Sequence, residues 1–134
     1  MNATRILVVD DNPTNLKLVS DVLEFDGYQM LKAIDAEEAQ QIIKTNRPDL
    51  ILMDIALPGM DGLSLTRLLK ADPETRTIRI VALTAFAMKG DEQKARDAGC
   101  DGYVTKPIDT RKLATLVAEF LALPQPKTQA LPAN

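Results

Sequence analysis

Apolar residues along the chain come in two rhythms that alternate. Short continuous apolar runs give way to longer stretches with apolar positions three and four residues apart, and the exchange repeats five times. Arg5–Asp10 (RILVVD) is a run that closes on an acid. Asn12 then offers a side-chain cap with Pro13 at the first helical position, where a missing N–H costs nothing. Leu16, Val19 and Leu23 follow at helical spacing, and Gly27 ends the helix. Tyr28–Ala33 reads as a second strand and Ala36–Asn46 as a helix. Leu50–Asp54 (LILMD) is a third run, again closing on an acid. After the Pro58-Gly59 loop, Asp61–Ala71 reads as a helix with Leu65, Leu68 and Leu69 inward. Arg79–Thr84 is a fourth strand, and Ala85–Ala98 a weakly apolar helix closed by Gly99. Tyr103–Thr105 is a short fifth strand. Thr110–Leu121 is a helix with Leu113, Leu116, Val117, Phe120 and Leu121 on one face.

Strands that are apolar on both faces belong to a parallel sheet covered by helices on both sides, with right-handed crossovers. The expected fold is therefore α/β and doubly wound, a (βα)5 unit over residues 1–122. Leu123–Asn134 carries three prolines and little else that could pack, and reads as a disordered tail.

Composition narrows the chemistry. The 134 residues contain no histidine and one cysteine, Cys100. A Ser-His-Asp triad, a Cys-His pair, a phosphohistidine carrier, a zinc site and an internal disulfide are all excluded within this chain. Cys100 alone reads as a small buried apolar residue. The net charge of −3 lacks the basic footprint of a nucleic-acid binder. No apolar run approaches the roughly 20 residues that span a bilayer, and the run before Asp10 is too short for a signal peptide. The expectation is a cytoplasmic protein with neither nucleic acid nor membrane as partner.

Strand ends carry the candidate site. In open α/β sheets, ligands bind beyond the carboxyl ends of the strands where the winding reverses. Asp10 and Asp11 end the first strand and Asp54 ends the third. On neighbouring strands about 4.8 Å apart, these carboxylates crowd one spot. Two unit charges about 4 Å apart repel by about 4 kcal/mol near a protein surface, so the cluster calls for a cation. All-oxygen ligands suit Mg²⁺. Thr84 ends the fourth strand and Lys106 follows the fifth, at the same edge. A nucleophilic carboxylate with a hydroxyl, an ammonium and a cation around it can take up a phosphoryl group as an aspartyl-phosphate. Each residue alone has an ordinary reading as a cap, a strand-end Thr or a solvated lysine. Their combination on four strand ends is what points to chemistry.

The segments VVDDN (Val8–Asn12), LILMDIALPGMDG (Leu50–Gly62), ALTAFAMKGD (Ala82–Asp91) and GYVTKPI (Gly102–Ile108) resemble the CheY-like receiver domains of bacterial two-component response regulators. The resemblance covers residues 4–122 and implies a flavodoxin-like parallel sheet in the order 2-1-3-4-5 with five helices. By position it makes Asp54 the phosphoacceptor. Asp11 (directly), Asp10 (through water), Asp54 and the Ala56 carbonyl become the Mg²⁺ site, with Mn²⁺ able to substitute. Thr84 and Lys106 become the groups that hold the phosphoryl oxygens. Tyr103 falls at the switch aromatic, read otherwise as a strand tyrosine packed on a helix. Lys106-Pro107 falls at a cis peptide bond. The implied phosphoryl donor is a histidine kinase or a histidine phosphotransfer protein, docked near helix one and the loop after strand five. Pro107 and Ile108 are the leading contacts and Lys17 a further one; Leu16 reads as core by its spacing. Ala56 and Phe86 flank the path of attacking water, and a bulky Phe86 would lengthen the phosphoryl lifetime.

Among receivers, TAFAMKGDEQKARDAGCDGYVTKPI looks most like the stand-alone cell-cycle regulators of the DivK type. With about a dozen residues after the last helix, output is expected through a downstream protein partner. The contact would use the face of helix four, strand five and helix five, on a monomer or a weak phosphorylation-dependent dimer. A phosphate relay or sink, a receiver from a hybrid kinase, and a hydrolase of the haloacid dehalogenase type stand as alternatives. The last wants an acid two residues after the nucleophile, where this chain has Ala56.

Overall fold

Each strand buries alternate side chains on opposite faces, so two separate cores form. The computed structural model describes residues 4–57, 59–84, 90–106 and 109–122. Among them are β1 (Arg5–Val9), α1 (Pro13–Phe25), β2 (Gln29–Ala33), α2 (Ala36–Thr45), β3 (Leu50–Asp54), α3 (Gly62–Ala71), β4 (Arg79–Thr84), α4 (Asp91–Ala98), β5 (Gly102–Thr105) and α5 (Thr110–Ala122). The strands pair in parallel in the order β2-β1-β3-β4-β5, as expected. The winding reverses between β1 and β3.

Ile6 and Val8 of β1 join Leu50, Leu52, Val81 and Leu83 against α1 and α5. Leu7 and Val9 join Ile51, Met53, Ile80 and Ala82 against α2, α3 and Ala95 of α4. Every residue of β3 and β4 is buried, which explains the apolar runs Leu50–Met53 and Ile80–Leu83 between their polar ends. Each buried Leu, Ile, Val or Met among them contributes about 1.5–3 kcal/mol.

Side-chain caps start the helices that approach the site edge. The Asn12 side chain accepts from the amides of Thr14 and Asn15, Asp35 accepts from Glu38, and Asp61 accepts from Ser64. Asn46 and Asp61 are thus caps rather than helical residues. β2 starts at Gln29, one residue late, and β5 at Gly102, one residue early.

Two expectations need correcting. Leu68 is 51% exposed, not inward. The buried stripe of α3 runs through Gly62, Leu65, Thr66 and Leu69. Gly62 lets the helix approach so closely that a Cβ there would stand 2.3 Å from the Asp54 carbonyl oxygen. With Gly62 and Thr66 against the sheet, Leu68 falls outside the buried stripe; the Thr66 hydroxyl donates to the Gly62 carbonyl. The described part of α4 begins at Asp91, with Gly90 at its N-cap in the left-handed region; residues 85–89 lie outside the described residues. So do Pro107, Ile108 and the tail 123–134, and with them the cis-peptide, docking and disorder expectations.

Candidate functional site

The carboxyl ends of the strands assemble the site. β1 ends at Val9, and the Asp10 amide still donates to the Ala33 carbonyl at 3.0 Å, holding the next residue in line with the sheet. Asp54 is the last residue of β3 and pairs with Leu83 of β4. Thr84, the last residue of β4, is buried and pairs with Thr105. The Lys106 amide donates to the Thr84 carbonyl at 2.6 Å, extending the β4–β5 ladder by one bond. The geometry thus brings Asp10, Asp11, Asp54, Thr84 and Lys106 to one edge. Asp10, Asp11 and Asp54 each present an oxygen within 4.8 Å of the others.

Asp10 and Asp54 are 1% and 4% exposed; Asp11 is exposed. One ammonium serves both buried acids. The Lys106 Nζ donates to Asp10 Oδ2 at 2.8 Å and to Asp54 Oδ2 at 3.2 Å. The other oxygens take backbone donors: Asn12 N reaches Asp10 Oδ1 and Ala56 N reaches Asp54 Oδ1, both at 2.9 Å.

Burial pushes the Asp54 carboxyl above the ordinary range. The Ala56 amide and Lys106 oppose that rise without cancelling it, and Asp10 adds to it. Burial alone would lower the Lys106 ammonium. Its hydrogen bond to Asp10 and the charges of Asp54 and Asp10 outweigh burial and raise it instead. Both directions describe one situation: excess negative charge in a place with little water. When ionised, the three acids outnumber the single lysine. The donor set is all oxygen, with no histidine in the chain and Cys100 elsewhere, which fits a hard divalent cation held by Asp10, Asp11 and Asp54. Such a cation would supply the missing positive charge.

Tyr103 is half-buried, pairs with Ala82 and packs against the core on the α2–α4 side. Leu16 is 7% exposed and belongs to the core, as its spacing indicated. Lys17 is exposed and bonds Asp21 one turn on. Ala56 is exposed, and Phe86 lies outside the described residues. Cys100 is buried, its thiol pushed up to about 11 by desolvation, with its Sγ 3.9 Å from Thr66 Oγ1. That is a packed thiol, not a reactive one.

Sequence reasoning passed over two residues at the site. Gly62 touches the Asp54 backbone as described above. Asn15 donates from Nδ2 to Asp10 Oδ2 at 3.4 Å. The signal for Asn15 was available, since a polar residue three positions after the Asn12 cap occupies the same turn.

Residues 6–118 match the response regulator receiver domain family. The polar-differentiation response regulator DivK of Brucella anthropi is 43% identical over 116 residues, covering 87% of this chain and 94% of that protein. A putative response regulator from Chloroflexus aurantiacus superposes with a TM-score of 0.86 at 34% identity, covering 91% of this chain and 100% of that one. The receiver domain of a sensor histidine kinase from Pseudomonas aeruginosa, described as having magnesium ion coordinated in its active site cleft, gives 0.82 at 34% identity with the same coverage. The acids and lysine that crowd the sheet edge here therefore sit within a match running from β1 into α5, and the chain belongs to the receiver domains of two-component response regulators, with DivK among its relatives.

Proposed function

We propose that this chain is a stand-alone response regulator of a phosphorelay, cytoplasmic, and of the DivK adaptor type. Asp54 attacks the phosphorus of a phosphohistidine on a histidine kinase or histidine phosphotransfer protein. The new P–O bond forms at Asp54 as the P–N bond breaks, and the donor imidazole keeps the bonding pair. The observation that carries this reading is the shared ammonium: Lys106 lies within 3.2 Å of a 4%-exposed Asp54 and within 2.8 Å of Asp10. A buried carboxylate with an adjacent cation is poised to accept a phosphoryl group whose added oxygens need that cation.

Mg²⁺ is the divalent ion of this reading, with Mn²⁺ able to replace it, held by Asp10, Asp11, Asp54 and the Ala56 carbonyl. When bound it neutralises charge on the phosphoryl oxygens. The magnesium in the Pseudomonas aeruginosa receiver supports the assignment. Ala56 in place of a second acid, together with the family match, sets aside the hydrolase alternative. The chain turns over no external substrate beyond its own phosphorylation and dephosphorylation.

Output follows from charge. Thr84 is drawn to the phosphoryl group, Tyr103 follows it inward, and the surface of α4, β5 and α5 changes its protein contacts. The donor docks at α1 and the loop after β5, through Lys17, Pro107 and Ile108, on a monomer or weak phosphorylation-dependent dimer. The bulk of Phe86 shields the phosphoryl group and lengthens its lifetime. A relay or sink is the second reading, favoured by the sensor-kinase receiver among the structural relatives. Capture of a new partner by the phosphorylated form alone supports the adaptor, and transfer onward to a histidine without such a partner supports the relay.

The deciding experiment is intact mass after incubation with acetyl phosphate, with and without Mg²⁺, beside Asp54→Asn. A Mg²⁺-dependent phosphoryl adduct absent from the variant is expected. No adduct, while a known receiver phosphorylates in parallel, would overturn the reading.

A further inference from the structure

We infer that Asn15 is a positioning residue for Asp10, taking over the carboxylate when Lys106 leaves it. The inference rests on the receiver reading above.

Asp10 Oδ2 has two donors in the structure, the Lys106 ammonium at 2.8 Å and the Asn15 amide at 3.4 Å. Its Oδ1 is held by the Asn12 amide. The Lys106 contact is the strong one, being shorter and charge-assisted. It is also the one that the proposed chemistry disturbs. Lys106 already divides itself between Asp10 and Asp54. A divalent cation among the three carboxylates repels the ammonium, and a phosphoryl group on Asp54 offers it new oxygens. Either event takes Lys106 away from Asp10.

Asp10 is 1% exposed. A carboxylate so buried loses much when a donor is withdrawn, and an amide already in place limits that loss. Once Lys106 has moved, Asn15 is the remaining donor seen on Oδ2. The Asn15 bond is long while Lys106 crowds the same oxygen, and bonds of this kind tighten when the site is occupied. Asn15 sits on the first turn of α1, whose start is fixed by Asn12, so its amide is held at a constant distance from the sheet edge. A neutral amide suits the role. It holds the carboxylate without competing electrostatically with the incoming cation, as a lysine would. Groups that orient metal-binding carboxylates in this way typically contribute 10–100-fold to metal affinity.

The test is Mg²⁺ titration by calorimetry of the full chain, with thermal unfolding of the metal-free protein beside it. The variants are Asn15→Leu, Asn15→Ala, Asn15→Gln and, as a control on the same turn, Thr14→Ala. Asn15→Leu and Asn15→Ala are expected to weaken Mg²⁺ binding about tenfold. Asn15→Gln, which keeps the amide, restores part of it, and Thr14→Ala binds as the parent does. Unchanged affinity in both Leu and Ala variants, with the parent binding normally, overturns the role of Asn15 alone. So does an equal loss in Thr14→Ala, which would mark a general effect of the helix turn. A parent chain that binds no Mg²⁺ overturns the receiver reading together with this one.

Discussion

The two ends of the sheet each carry a partly buried lysine against aspartate, and they do opposite things with it. At the amino ends of β4 and β5, the Lys70 Nζ donates to Asp101 Oδ2 at 3.0 Å and to the carbonyls of Ile78 and Arg76 at 2.8 and 3.1 Å. The same Asp101 oxygen accepts the Ile80 amide. Its stem fills the space beside Gly99, where a Cβ would meet Lys70 Cγ at 2.8 Å. One cation meets one anion, and both have backbone partners besides. At the carboxyl ends, Lys106 is divided between two buried acids with a third exposed one beside them. The first pair is balanced and ties α3, β4 and the start of β5 together. The second is left short of positive charge, which suits it to a hard divalent cation. Residue type does not separate the two lysines; local charge balance does.

Replacing the two lysines breaks this comparison most directly. Lys106→Met is expected to slow phosphorylation of Asp54 about 100-fold, read by intact mass over time. Lys70→Met should leave that rate within about twofold while costing about 2 kcal/mol of stability, read from the urea midpoint, because Asp101 and the Ile78 and Arg76 carbonyls lose their ammonium donor. Equal effects of the two variants on phosphorylation would dissolve the distinction.

Gly62→Ala tests how firmly the site edge is fixed by packing. The added methyl meets the backbone of Asp54 and Ile55, so about 2 kcal/mol should be lost together with a slower rate at Asp54. Gly27→Ala, with nothing within 4 Å of its Cβ, should lose stability through its positive φ and leave the rate unchanged.

A smaller effect, of opposite sign, is expected from Asp54→Asn without metal. Burial raises the Asp54 pKa, so the native state holds this proton more tightly than the unfolded chain does. Its ionisation therefore costs stability as pH rises from the ordinary value of 3.8 through the raised one, and the cost is fully present above that. Asp54→Asn should melt a few degrees higher than the parent at pH 7, and the gap should close below about pH 3.5. A variant less stable than its parent at pH 7 would mean that Lys106 neutralises Asp54 completely. Cys100→Ala should have the smallest effect, about 1 kcal/mol, with no change in phosphorylation, because the buried thiol only packs against α3.

How much of this was legible beforehand follows from the range of each interaction. Strand and helix identities depend on neighbours within a few positions, and Asn12 and Gly99, read as caps from the sequence, act on their own segments, while Asp61 was read one position too far into its helix. The gathering of Asp10, Asp11, Asp54, Thr84 and Lys106 at one edge was legible too, whereas the strand order came only from the resemblance to the receiver family. Parallel βα winding sends every strand's carboxyl end the same way. Leu68 was misread because periodicity alone does not fix how a helix is rolled. The close approach of Gly62 to Asp54 does, and that contact lies across the β3–α3 loop. The balanced Lys70–Asp101 pair spans 31 positions and the Lys106 contacts 96 and 52. No local pattern says which lysine meets one acid and which meets two. The sequence by itself determined the α/β alternation, the caps at Asn12 and Gly99 and the residue types available at the strand ends. Only the tertiary structure decided how one ammonium is shared among buried carboxylates, because that depends on charges and desolvation brought together by the packed sheet.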